Sequence, residues 1–419
     1  MSEMYVKNRK NFEGLMKDGS MLIIFGGAAP VKRGDEFYQF APQRNFLYMT
    51  GIERPGLVFL QKKGMQGNAI SRLYLERYDE LTAKWDGAAM NKEQAKEISG
   101  LDNYAYLDEL YGHIALTIVR ERIHTVYLDL ENRSLSAPNT PELDFAKLLS
   151  EKFPTVAIEN AHPMFAELRM IKSEYEIENI TKAAKISGEG FKALLSNVRP
   201  GMKEYELEAH LDYTYKKNGC KDRAFRTIMA SGKNACVLHY SDNNCEIGEN
   251  DLVLVDYGAH WNWYSSDISR TFPASGKFTE RQKLLYNIVL EGNKLILDMI
   301  KPGIAFGKLQ ETLQDYYVTE LTKIGLIKDK SELIKYYFHG VSHMLGLETH
   351  DVGMGSTAGV NELLLAPGMV LTVEPGLYIE QESIGIRIED NIVVTETGCY
   401  NITADIIKEV DDIEAFMAK

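Results

Sequence analysis

The sequence predicts an α/β chain in two parts: a small amino-terminal α/β domain, then a larger part built from two similar half-domains. Three observations carry this reading. Over the first 160 residues short apolar runs alternate with longer amphipathic segments. Near Phe165 the texture changes to a long helical segment. Beyond it a weak internal echo repeats one order, helices and then a hairpin.

The runs Met21-Leu-Ile-Ile-Phe25, Gly56-Leu-Val-Phe-Leu60, Ser71-Arg-Leu-Tyr-Leu75 and Thr125-Val-Tyr-Leu-Asp129 read as strands. Between them Asn91–Ser99 and Asn139–Lys152 read as helices. Ser173–Ser187 opens a long helix whose Ser173 and Glu176 have capping-box spacing. The boundary therefore falls at about 155–172, giving domains at 1–160 and 161–419. In the second part Arg199-Pro-Gly-Met-Lys-Glu-Tyr-Glu-Leu207 echoes Lys301-Pro-Gly-Ile-Ala-Phe-Gly-Lys-Leu309, each a Pro-Gly stop leading into a helix. Downstream of each, an apolar strand ends in a carboxylate two residues before a glycine: Val253-Leu-Val-Asp-Tyr-Gly258 and Leu371-Thr-Val-Glu-Pro-Gly376.

Composition excludes several classes. The 419 residues suit two or three compact units, and 45% hydrophobic residues exclude a disordered chain. Sixty acidic against 47 basic residues give a net charge of -13, with the cations scattered, so no nucleic-acid partner is expected. Cys220, Cys236, Cys245 and Cys399 form no C-x-x-C pair and read as reduced structural thiols. Met1–Lys10 is too charged for a signal-peptide core, and the longest apolar stretch, Met21–Val31, falls short of the ~18 residues of a membrane span. A cytoplasmic protein without a membrane partner is expected.

The chemistry gathers on four carboxylates. Asp251–Gly258 and Tyr264–Phe272 read as strands, and a pairing that sets Asp256 opposite Asp267 centres its turn between Trp261 and Asn262. Opposed side chains on one face lie about 5 Å apart. Two buried like charges so close need a cation or a shared proton between them. The same arithmetic for Glu374 and Glu389 centres a second turn between Gln381 and Glu382. One imidazole from His339-Gly-Val-Ser-His-Met-Leu-Gly346 completes an oxygen-rich site for two metal ions about 3.5–4 Å apart. Such hard ligands point to Mn, Co or Zn. A lone carboxylate at a strand end is ordinarily a solvated or turn-capping group; joint placement argues for ligands. His339 and His343 have the i, i+4 spacing of a helical ligand pair, whereas Gly340 and Gly346 argue for loop backbone, and spacing leaves both open. Five histidines (His239, His260, His339, His343 and His350) fall among these segments, as in a catalytic cluster. His239 follows the apolar stretch Asn234–Leu238, so its residues alone also fit a buried core histidine.

These blocks resemble the metal-dependent pita-bread peptidases, specifically the Xaa-Pro aminopeptidase (aminopeptidase P) and prolidase branch of peptidase family M24. The matching blocks are Val253–Gly258 with Ser266-Asp-Ile-Ser-Arg-Thr-Phe272, His339–Gly353, Thr372-Val-Glu-Pro-Gly-Leu-Tyr378 and Gly385-Ile-Arg-Ile-Glu-Asp390. Ser342-His-Met-Leu-Gly346 followed by His350-Asp-Val-Gly353 is more similar to aminopeptidase P than to prolidases. Gln43-Arg-Asn-Phe-Leu-Tyr-Met-Thr-Gly51 is similar to the aminopeptidase P amino-terminal domain.

The resemblance implies a pita-bread fold, α+β with a pseudo-twofold, for 161–419. It implies the ligands Asp256, Asp267, His343, Glu374 and Glu389 for two divalent metal ions, with Mn2+ first and Co2+ or Zn2+ as alternatives, and with Asp267 and Glu389 bridging. His339 then becomes a pocket residue. The implied catalytic residues are Glu374, His350 and His239, and the implied substrate contacts are His239, His339, His350, Tyr378 and Arg387, the last also anchoring the carboxylates from behind. The resemblance thus overrides the core reading of His239. The implied substrate is a peptide with proline second, cut before that proline; an Xaa-Pro dipeptidase is the alternative, and a non-catalytic pita-bread binding protein a remote one. A homo-oligomer, dimer or tetramer, is implied. Trp85 resembles a tryptophan that reaches a neighbouring subunit's active site, its alternative being a packed surface aromatic.

Overall fold

A computed structural model describes residues 2–132, 134–353 and 362–418. The chain divides into two compact units, Met1–Leu168 and Arg169–Lys419.

In the first unit the four apolar runs all enter one six-stranded sheet. Its order is Tyr104–Tyr106, Ala69–Leu75, Val58–Lys63, Ser20–Phe25, Thr125–Leu128, Ala157–Asn160. Ser20–Phe25 and Ala69–Leu75 pair antiparallel with Val58–Lys63, and the outer strands join parallel. Met21, Ile23, Val126 and Leu128 bury one face against Ile114 and Ile118 of the helix Leu110–Glu121 and Phe145 and Leu149 of the helix Pro141–Lys152. That burial is the main drive for the layer. Thr140 caps the second helix, accepting from the Leu143 N–H at 3.3 Å, and Pro141 stands where no N–H is needed.

The second unit repeats one plan. The helices Glu174–Asn197 and Glu204–Lys217 precede the first hairpin, and Glu280–Met299 and Phe306–Lys323 precede the second. The capping box at Ser173 forms: Glu176 Oε2 accepts from the Ser173 N–H and hydroxyl, each at 2.8 Å. Gly190 lets the first helix pair close up, because a Cβ there would meet Leu211 Cδ2 at 2.8 Å; Gly292 does the same against Leu313 at 3.0 Å. The sequence echo therefore extends to the packing of the helices.

Each half places a three-stranded sheet beside a two-stranded ribbon. Leu252–Tyr257 pairs antiparallel with Ile268–Pro273 and Ile228–Ser231, and the ribbon His260–Trp261 with Tyr264–Ser265 continues it. In the second half Val370–Val373 pairs with Asp390–Val394, and Gly376–Ile379 pairs with Ile384–Arg387. Both hairpins are thus long ribbons with the ladder interrupted midway.

The register of the second hairpin, Tyr378 with Gly385 and Val373 with Asp390, centres its turn between Gln381 and Glu382, where the sequence puts it. The first differs. Asp256 faces Ser269, not Asp267, and the turn lies at Asn262 and Trp263, one residue later than expected. Both residues have positive φ, 49° and 68°, the geometry that matches strand twist in a two-residue hairpin loop. Asp267 follows the break at Ser266, so the two aspartates sit as diagonal neighbours. Gly258 is required there: a Cβ would lie 1.9 Å from the Ser266 carbonyl oxygen.

Candidate active site

The ladder interruptions put the carboxylates where backbone pairing stops. Asp256 is the last residue but one of the 252–257 strand, Asp267 occupies the break before Ile268, and Glu374 and Glu389 occupy the matching break in the second hairpin. Three overlapping groups each gather ligand atoms within 4.8 Å of one another: Asp256, Asp267 and Glu389; His343, Glu374 and Glu389; Asp267, His343 and His350. All five implied ligands fall in this one cluster, and His350 joins it. His343 Nε2 lies 3.3 Å from Asp267 Oδ2 and 3.6 Å from Glu374 Oε1.

His343 is aimed by its backbone. Its N–H donates to Thr372 Oγ1 at 3.0 Å and its carbonyl accepts from Thr372 N at 2.9 Å, which sews a non-helical segment onto the 370–373 strand. Its Nδ1 donates to the Met344 carbonyl at 3.0 Å, leaving Nε2 to face the acids. The loop reading of the His339–His343 spacing is therefore the observed one.

Against four acids stands one guanidinium. Arg387 Nη2 donates to Asp256 Oδ2 at 2.7 Å, its Nε to Ser269 Oγ at 2.7 Å and its Nη1 to the Tyr378 hydroxyl at 3.0 Å. Ser269 Oγ donates in turn to Glu389 Oε2 at 2.8 Å. Asn391 grips the Asp267 backbone, accepting from its N–H at 3.1 Å and donating to its carbonyl. Sequence reasoning missed Ser269 and Asn391; the signal available was their alternation with Asp267 and Glu389 along strands.

Burial and mutual repulsion shift the acids upward. Burial, reinforced by Asp267, raises Asp256 to about 6 although Arg387 opposes it. Burial raises Glu374 to about 7, with His343 and Arg387 opposing and Asp267 and Asp256 adding. Glu389 is pushed well up by burial and by Asp267 and Glu374. Burial alone would depress His343, but Asp267 and Glu374 hold it at about 9. Asp256 Oδ1 is buried without a hydrogen-bond partner. An acid-rich, under-neutralised cluster with an orphaned oxygen fits divalent cations, since cations would replace both the protons and the missing partner.

Two cavities meet at this cluster. One of about 280 Å³ is lined by Leu238, His239, His339, Gly340, Ser342 and Glu374 together with the acids, and one of about 570 Å³ by Phe225, Arg226, Ile228, Ser241, Glu348 and Thr349. His239, His350, Asp256 and Asp267 line both. His239 is exposed, which excludes the buried-core alternative. His260 is corrected in the other direction: it is buried beside Trp263, with its Nδ1 3.3 Å from Ser265 Oγ, and lines neither cavity. Tyr378, expected to touch substrate, is 2% exposed and lies behind the cavity wall, where its hydroxyl donates to His339 Nε2 at 2.9 Å. His339 lines the cavity, and burial with Arg387 nearby lowers it to about 4, a neutral imidazole. Trp85, on the helix Glu80–Asp86, is 81% exposed, so the packed-aromatic alternative does not hold. All four cysteines are free, and no described helix is long and apolar enough to cross a membrane.

The repeated halves and their acid cluster define a metal-dependent hydrolase. Residues 178–396 match the metallopeptidase family M24, and residues 5–127 match the aminopeptidase P amino-terminal domain. The chain is 34% identical to the Xaa-Pro aminopeptidase of Escherichia coli, over 99% of this chain and 97% of that one. It is 30% identical to the Xaa-Pro dipeptidase of Rattus norvegicus, over 99% and 93%. Among solved structures, aminopeptidase P from E. coli with the inhibitor Pro-Leu superposes with a TM-score of 0.91 at 32% identity, covering 100% of this chain and 98% of that one. The chain belongs to the metallopeptidase family M24.

Proposed function

We propose that this chain is an Xaa-Pro aminopeptidase: it hydrolyses the bond between an amino-terminal residue and a following proline. The supporting observation is the gathering of four carboxylates and one imidazole into a single cluster, in which Arg387 pairs with Asp256. Asp256, Asp267, His343, Glu374 and Glu389 would hold two divalent ions, with Mn2+ the first candidate and Co2+ or Zn2+ the alternatives. Bound there, the ions supply a water acidified toward neutrality and a polarised scissile carbonyl.

The chain's own groups do the rest. Glu374, held in the ligand cluster beside the water, takes the proton of the attacking water and gives it to the leaving nitrogen. His350 and His239, which line both cavities, donate to the carbonyl oxygen as charge develops on it, a contribution of about 3 kcal/mol per donor. Arg387 keeps Asp256 charged and oriented. A bond before proline offers no N–H, so the substrate must be held by a pocket and not by strand pairing.

We assign residues 1–160 to an aminopeptidase P-type domain and 161–419 to the catalytic domain, in a cytoplasmic homo-oligomer for whose contacts the exposed Trp85 is suited. The dipeptidase relative motivates the second reading. Assay of Mn2+-loaded protein on an Xaa-Pro dipeptide and an Xaa-Pro-Yaa tripeptide separates the two: tripeptide turnover is expected, and turnover of the dipeptide alone would replace the aminopeptidase by a dipeptidase.

A further inference from the structure

The His239 segment is tied to one buried acid. Glu204, on the first turn of the 204–217 helix, is 0% exposed. Its Oε1 accepts from Ser231 N at 2.8 Å, Ser231 Oγ at 2.8 Å and Asn234 Nδ2 at 3.0 Å. Its Oε2 accepts from the Tyr240 hydroxyl at 2.6 Å and from Cys245 N at 2.9 Å. All five donors are neutral, and they come from both limbs of the segment 231–245. His239 and Leu238 lie between those limbs and line the cavity over the acid cluster.

Capping a helix does not need a carboxylate without exposure to water; Ser, Thr or Asn would serve at less desolvation. All five contacts run toward the two carboxylate oxygens, three donors on Oε1 and two on Oε2. Backbone bonds sew the outgoing limb to the same place, with Glu204 N donating to the Cys245 carbonyl at 3.0 Å and Ile247 N to the Met202 carbonyl at 2.8 Å. The Glu204 carboxylate joins the incoming and outgoing limbs through side-chain bonds, and Asn243 ties the outgoing limb to the chain just before the segment, accepting from Met229 N at 3.0 Å and donating to the Thr227 carbonyl at 2.9 Å.

We infer that Glu204 is a positioning residue for His239: it closes the 231–245 segment into a rigid loop and so sets where the imidazole meets the substrate carbonyl. The inference rests on the substrate-contacting role proposed for His239. It acts through geometry, since a shift of about 1 Å at a reacting centre can cost up to a hundredfold in rate.

The test is a double-mutant cycle on kcat/KM for an Xaa-Pro tripeptide, combined with amide hydrogen exchange. Glu204→Gln, which turns one acceptor into a donor facing Tyr240 and Cys245, should lower kcat/KM about tenfold at unchanged metal content. In a His239→Ala background the same change should cost about twofold or less. Exchange over 237–242 should quicken while that of the 252–257 strand stays as it was. An equal fold loss in both backgrounds, no loss on His239→Ala alone, or unaltered exchange over 237–242 overturns the inference. Should Glu204→Gln fail to fold, Tyr240→Phe removes one of the five donors and carries the same comparison at a two- to threefold effect. If unmodified protein leaves the tripeptide intact, the aminopeptidase reading fails, and the exchange comparison still decides whether Glu204 holds the segment.

Discussion

Glu389 and Asp390 are adjacent in the chain and both buried, yet they are driven in opposite directions. Burial would raise Asp390, but Arg270 and Lys408 reach it from either side and hold it at about 2. Glu389 meets burial, then Asp267, Glu374 and Asp256, with Arg387 opposing, and is pushed well up. On one side of the strand the protein supplies its own cations; on the other it withholds them. The difference separates a structural ion network from a site built to take charge from outside, because a fold gains nothing by burying four acids on one guanidinium unless something balances them.

The sharpest way to break this comparison is to remove one acid from each side. Asp267→Ala should abolish metal retention and hydrolysis while the chain still folds; wild-type activity and metal content in that variant would end the ligand assignment. Asp390→Asn leaves the fully buried Arg270 without its charge partner, and should lower stability by about 3–5 kcal/mol in urea unfolding. Because Asp390 titrates below its ordinary 3.8, its contribution is complete above that pH and is lost as pH falls toward 2. The variant should therefore lose the acid-side part of the stability profile.

The metal-free cluster should behave in the opposite sense. Asp256 at about 6 and Glu374 at about 7 lie above their ordinary 3.8 and 4.5. Stability from these groups is complete below about pH 4 and is lost as pH rises through 6 to 7. Divalent cations take the place of those protons. Stabilisation by added Mn2+, read as a thermal shift, should accordingly grow between pH 5 and 7.5, and a flat profile would count against the cluster. Smallest is Lys408→Met, which removes the more exposed of the two cations on Asp390 and should cost about 2 kcal/mol.

Much of this site was legible in the sequence, and the limits are instructive. The centre of the second hairpin could be computed because Glu374 and Glu389 do lie in one register with the strands on either side. The first computation failed by one residue because it took direct opposition as the only way to share a face. Diagonal neighbours share one too. The true turn uses Asn262, a residue tolerant of positive φ, but also Trp263, which is not, so no Asn-Gly signal marked it. Apolar neighbours misled at His239, whose segment turns outward after Ala235, and histidine clustering along the chain misled at His260. Tyr378 sits in a matching block yet serves Arg387 and His339 from behind, a role that depends on which side of a two-stranded ribbon faces the cavity.

The central claim is that the four acids and His343 cage two divalent ions. Calorimetric titration of Mn2+ into chelator-treated protein at pH 7.5 tests it most directly. Two equivalents bound by the unmodified chain, and loss of binding in Asp267→Ala, are the predicted result. No uptake by the unmodified chain, or the same uptake by the Asp267→Ala variant, would contradict it.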